Sequence, residues 1–289
     1  MPRYLLFFSY IGTRFSGVQV QPNTFTVQGV LEVRMIAYAK YLRISINQPG
    51  ILHLAASVLS FVVKANDDKA LRLKISSRTD TGVHALINTA VVDLPPTASF
   101  INSDNRLCSE NPPLIVAKAN SLLSRISVPV RLIGCRIVSD GFCPRRHAVS
   151  RHYLYRLAVL KYGYDELCET NCEMTSYPIG EHNRCWFLPS NFDPYKFREA
   201  AAMFRGYHNF ASLMNHSKDH VRAASVPTER SVFYTGIELG RPLMDSEYDL
   251  SSKCYTFYDV NIIAKSFLYK QICVFVIIIF GISASQQIA

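Results

Sequence analysis

At 289 residues, with 49% hydrophobic, 12% aromatic and 18% charged side chains, the chain has the length for two ordinary domains or one large one. Its composition excludes a disordered tail or a disulfide-stapled miniprotein. The 31 Lys and Arg outweigh the 22 Asp and Glu, a formal charge of +9 that makes a polyanion, nucleic acid first, the partner to consider. A soluble protein that is merely basic fits the charge equally well.

In chain order, Tyr4 to Tyr10 reads as a strand that ends near Gly12 and passes into a loop through Gly17. Thr24 to Tyr41 turns helical, with Thr26 as a cap and Val27, Val30, Leu31, Met35 and Tyr38 near a 3.6 period. Ile51 to Val63 is a second apolar stretch, a helix or an insertion, before the charged Lys64 to Lys74. Leu71 to Ser76 alternates and leads through Arg78-Thr79-Asp80-Thr81-Gly82-Val83-His84 to a strand over Ile87 to Leu94, which Pro95 and Pro96 stop. A polar, proline-bounded loop over Ser99 to Pro113, a helix over Leu114 to Leu123 and a strand over Val130 to Val138 close a first domain, 1–138.

The second domain, 139–289, opens with Gly141 to Arg151 and a strand over Tyr153 to Leu160, followed by a long loop from Tyr162 to Arg184. An amphipathic helix over Asp193 to Phe204 and strands at Arg230 to Leu239 and Tyr255 to Ile263 follow. The apolar tail, Ile272 to Ile282, reaches only 16 residues even counted from Phe267 and contains Lys270. A buried helix is expected there, with a membrane tail anchor as the alternative, and no membrane partner is expected. The overall pattern is α+β with mostly antiparallel sheet and flanking helices.

Eight cysteines without a CxxC pair, and no secretory h-region at the start, point to reduced thiols and an intracellular protein. Mitochondrial, cytoplasmic and nuclear compartments all remain open. Cys168, Cys172, His182 and Cys185 fall within 18 residues, but their C-x3-C-x9-H-x2-C spacing departs from zinc patterns, so no metal is expected and ordinary loop thiols are the reading.

Asp80 is the candidate catalytic group. The glycine two residues on lets the backbone turn sharply, Arg78 favours an ionised carboxylate, and a carboxylate held in a cleft serves as nucleophile or general base. The bland reading is a turn aspartate bonded to its own backbone. Asp80-Thr81-Gly82 also spells an aspartic protease triplet, but those enzymes need two carboxylates sharing a proton, and this motif occurs once beside an arginine. A second cluster runs from Arg145 to Arg156: Arg145, Arg146, Arg151 and Arg156 are candidate phosphate contacts, and Tyr153 and Tyr155 share one strand face on which a base can stack. An exposed basic strand with structural tyrosines is the alternative.

These residues carry a resemblance. Ile75 to Ala85 (ISSRTDTGVHA) resembles the signature of the TruA family of tRNA pseudouridine synthases; Tyr10 to Gly17 resembles its N-terminal strand and loop, and Thr26 to Glu32 its first helix. Phe142, 11 residues before Tyr153, and Ser266 to Gln271 resemble its later motifs, so the likeness runs in order from Arg3 to about Gln271. It implies a pseudouridine synthase fold of two halves around a central cleft, commonly a homodimer. It also implies isomerisation of uridine to pseudouridine in RNA, with tRNA as the expected partner and no cofactor. In that scheme the target nucleotide is flipped out of its stack, Asp80 attacks it, and Arg78 and Tyr153 bind it.

The sequence departs from the family in three places. Val18 stands at a tryptophan position, Leu52 to Ala70 lengthens one connection, and after Gln271 the chain reads Ile272-Cys273-Val274 where the family has Val-Arg. The later strand that lines the uracil pocket is absent, so the end looks altered or truncated. The expectation is therefore a synthase impaired by its C-terminus, against an inactive RNA-binding protein of the same fold.

Overall fold

The computed structural model describes residues 2–35, 72–94, 112–164, 177–214 and 227–285; the stretch Leu52 to Ala70, most of the Ser99 to Pro113 loop, and Cys168 and Cys172 lie outside them. The chain forms two compact units, Met1–Ala148 and Val149–Ala289.

In the first unit, strand β1 (Arg3–Tyr10) buries alternate residues, Tyr4, Leu6, Phe8 and Tyr10, as a period of two requires. Helix α1, described over 27–35, starts where Thr26 Oγ1 accepts from Gly29 N. Its Val27, Leu31 and Met35 join the β1 face in one core. Strand β2 (Lys74–Ile75), strand β3 (Ala85–Asp93), helix α2 (Pro112–Ser124) and strand β4 (Val130–Val138) complete an antiparallel sheet of order β2-β3-β1-β4. Asn120 ties α2 to the edge strand by donating to Leu132 O and accepting from Leu132 N, both at 2.8 Å. Residues beyond β4 stay with this unit: Arg3 pairs with Asp93 and donates to the carbonyls of Asp140 and Phe142, and the short helix α3 (Pro144–His147) packs on β2 and β3. That guanidinium, by donating to Asp93, holds its carboxyl below the usual carboxylate range. Its contribution to stability is therefore present above the unfolded carboxyl pKa and fades as pH falls through the lowered folded value.

In the second unit, strand β5 (Arg151–Leu160) pairs antiparallel with β9 (Tyr255–Ala264) and in parallel with β6 (Cys185–Leu188). Strands β7 (Gly206–Asn209) and β8 (Glu229–Leu239) give the order β6-β5-β9-β8-β7. Helix α4 (Pro194–Ala202) is capped by Asp193, whose Oδ1 accepts from Tyr195 N and Lys196 N. The apolar tail forms helix α5 (Gln271–Ser285), and its Phe275, Val276 and Ile279 are buried against α4 and the sheet. No helix among the described residues is long and apolar enough to cross a membrane. The fold class is α+β, with one antiparallel and one mixed sheet.

Candidate active site

The loop between β2 and β3 carries Arg78 and Asp80, both exposed. Asp80 O accepts from Val83 N at 3.2 Å, and Gly82, at φ +79°, supplies the left-handed corner that a side chain would strain. The turn is thus closed by the aspartate's carbonyl and not by its carboxylate. No hydrogen bond or ion pair engages that carboxylate among the described residues, which sets it apart from the self-bonded turn aspartate.

Three sequence segments hold this loop. From the end of β1, Tyr10 Oη bonds Thr79 Oγ1 at 2.7 Å, Gly12 N donates to His84 Nδ1 at 2.9 Å, and Val18 N donates to Thr79 O at 3.2 Å. In return Gly82 N donates to Phe15 O. The approach is so close that a Cβ on Gly12 would lie 2.0 Å from Val83 O, and one on Gly17, already at φ +91°, 2.8 Å from Thr79 O. On α1, Gln28 Nε2 donates to Leu73 O at 3.0 Å and Glu32 Oε1 accepts from Leu73 N at 2.9 Å, gripping the backbone just before β2. On β3, buried Asn88 accepts from Ser76 Oγ through its Oδ1 and donates to Ser77 O through its Nδ2. Tyr10, Thr79, His84, Gln28, Glu32 and Asn88 are the residues that reading the sequence for charge and spacing overlooks. Five of them, Tyr10, Gln28, Glu32, Thr79 and His84, fall inside the motif segments Tyr10 to Gly17, Thr26 to Glu32 and Ile75 to Ala85, which could have singled them out; Asn88 lies in none. Arg145 and Arg146 stand exposed on α3, which packs beside β2.

In the second unit Tyr153 and Tyr155 are half-buried on one face of β5, while His152 and Leu154 alternate outward. The Tyr153 ring meets Phe267 edge-on at 5.0 Å. Phe267 adjoins the turn into α5, where Leu268 N donates to Gln271 Oε1 at 2.7 Å and Gln271 N donates to the backbone carbonyl of Leu268 at 3.2 Å. Burial pushes the Tyr155 phenol up, and nearby Cys273 adds to the shift, so the phenol keeps its proton at neutral pH. Cys273 is exposed on the first turn of α5. Arg151 donates to Lys265 O. Arg156, expected on a phosphate path, is committed elsewhere: it pairs with Glu181 at 2.6 Å and Asp259 at 3.2 Å and donates to Arg241 O. With two carboxylates on one guanidinium, and only 11% of that side chain exposed, it offers no free charge to a phosphate. His182 and Cys185 belong to no described metal-ligand cluster; the Cys185 thiol donates to Glu181 Oε2.

No protein-family model matches the chain. The tRNA pseudouridine synthase-like 1 protein of Homo sapiens is 31% identical over 275 residues, covering 93% of this chain and 73% of that protein. Its Xenopus laevis counterpart is 28% identical over 276 residues, covering 93% and 74%. The tRNA pseudouridine synthase A of Rhodopseudomonas palustris (strain BisA53) is 28% identical over 213 residues, covering 74% and 64%. With nearly the whole chain aligned at this identity to a curated relative, and with Tyr10 to Gly17, Thr26 to Glu32 and Ile75 to Ala85 brought together around Asp80 in the first unit, the chain belongs to the TruA family of tRNA pseudouridine synthases.

Proposed function

We propose that this chain isomerises uridine to pseudouridine in tRNA, with Asp80 as the catalytic carboxylate. The observation that carries the proposal is an exposed carboxylate with no described partner, on a loop whose backbone is fastened by strand, helix and glycine contacts. Preorganisation of this kind directs one group at a reacting atom without the cost of ordering it on binding. In the reaction the bond from the ribose C1′ to N1 breaks, the uracil turns, and C5 bonds to C1′ while the C5 proton is lost and N1 gains one. Nothing is oxidised or reduced, so the chemistry calls for no redox cofactor. Asp80 attacks the nucleoside, Arg78 and Tyr153 contact it, and Arg145, Arg146 and Arg151 serve the phosphates; Arg156 is left out because its charge is spent on Glu181 and Asp259. A tRNA substrate places the reaction inside the cell, and a homodimer is the assembly that the family resemblance suggests.

Asp80→Asn removes the nucleophile at almost constant volume. Mass spectrometry of a digested tRNA transcript is expected to show pseudouridine with the parent chain and none with the variant, at equal tRNA affinity. Equal absence from both, with RNA still bound, would make the chain a binding protein of this fold. Replacing Arg145 and Arg146 by Ala is expected to weaken binding to all tRNAs alike and to reduce the slope of log affinity against log salt by about 1 to 2. An unchanged slope in a filter-binding titration would remove both from the interface.

A further inference from the structure

We propose that Tyr10 and His84 are positioning residues that aim Asp80 by holding the two ends of its loop, Tyr10 through Thr79 and His84 through the amide of Gly12. The inference rests on the proposed function, because it assigns a purpose to contacts that would otherwise only fold a loop.

The geometry separates the aspartate's reach from its support. Asp80 lies between Thr79, whose hydroxyl is 2.7 Å from Tyr10 Oη, and His84, whose Nδ1 is 2.9 Å from Gly12 N. Tyr10 and Gly12 flank the exit of β1, so both bonds refer the loop to the most buried strand of the first sheet. The carboxylate itself is exposed and has no described hydrogen bond, so the backbone that these two side chains fasten sets the point from which it reaches. The chemistry of each contact is specific. Tyr10 is 4% exposed and its ring stacks on Phe8 at 5.9 Å, so the side chain is held in the core of the first unit. A backbone amide can only donate, so His84 Nδ1 accepts. Both contacts are to the loop and to the end of β1, which makes these side chains supports in the proposal and not catalytic groups.

Two measurements test this, one independent of catalysis. In the free protein, amide hydrogen exchange at Val18, Gly82 and Val83 is expected to quicken about fivefold in Tyr10→Phe, the worth of one typical hydrogen bond. Exchange at Gly12 is expected to quicken likewise in His84→Ala, with Leu6 in mid-strand unchanged in both. In the enzyme assay, Tyr10→Phe and Thr79→Val are each expected to lower kcat by about fivefold at constant KM, and the double variant no further, because both remove the same bond. Thr79→Ser, which keeps the hydroxyl, recovers most of what Thr79→Val loses. Unchanged exchange overturns the proposal, as do quickened exchange with an unchanged kcat, additive effects in the double variant, or a rise in KM alone. A parent chain that makes no pseudouridine while exchange still quickens in Tyr10→Phe overturns the proposed function and leaves the two side chains as supports of the loop.

Discussion

Gly12→Ala is expected to cut pseudouridine formation by about a hundredfold while the first unit stays folded. The new methyl carbon would sit 2.0 Å from Val83 O and 2.5 Å from Val83 C, both backbone atoms with no rotamer to give way. Relief requires the Asp80 loop and the end of β1 to part by an ångström or more. A displacement of that size at a reacting group costs about two orders of magnitude in rate, whereas overpacking at one buried position typically costs the fold about 1 to 3 kcal/mol. Gly134→Ala is the control, because its methyl carbon would meet the Phe7 ring at an ordinary 3.7 Å. The comparison needs turnover by mass spectrometry of the transcript and a thermal melt of each variant. A folded Gly12→Ala protein as active as Gly134→Ala would show that the loop's place does not govern the chemistry.

The same glycine shows where the sequence is mute. The strand over Tyr4 to Tyr10 is legible because alternate burial is a local rule, and so are α1, β3, β4, β8, β9 and the apolar α5, whose residues follow a period or form an unbroken apolar run. Strands β6 and β7 escape notice: each has four residues, too few for a period, and β7 is exposed at every position. In the first unit Asp80 and Arg78 stand out by charge and motif, and in the second Tyr153 and Tyr155 do share a face of β5. The partners of Gly12 and Tyr10, by contrast, lie 72 and 69 residues away. Only tertiary approach turns a glycine into a required glycine. Arg156 shows the opposite case, an ion pair that the sequence hides. On paper it is one more cation in a basic run, and its acids stand 25 and 103 residues off, so nothing local reveals that its charge is already neutralised.

That neutralised charge gives the largest stability effect. Glu181 is 1% exposed and accepts at both oxygens: Oε1 from Leu243 N at 2.7 Å, Oε2 from Arg156 Nη1 at 2.6 Å and from Cys185 Sγ at 3.1 Å. Burial, with Glu181 adding to it, pushes the Cys185 thiol up, so that contact is a neutral donor on a carboxylate. Glu181→Ala takes the acceptor from an amide and a thiol and one of two carboxylates from a guanidinium in one step. Breaking a buried pair from one side costs about 3 to 5 kcal/mol, and the second unit is expected to melt roughly 10 °C lower. Glu181→Gln keeps an acceptor for Leu243 N but gives up the charge, so it falls between the parent and Glu181→Ala. Asp259 remains at Arg156 in both variants, at 3.2 Å and partly exposed, which limits the loss. Arg156→Met separates the two roles that arginine could have. If its work is to hold Glu181, the melt drops while the salt dependence of tRNA binding stays as in the parent, since no phosphate contact has been removed. A shallower salt slope with an unchanged melt would return Arg156 to the RNA-binding surface and break the account of the ion pair.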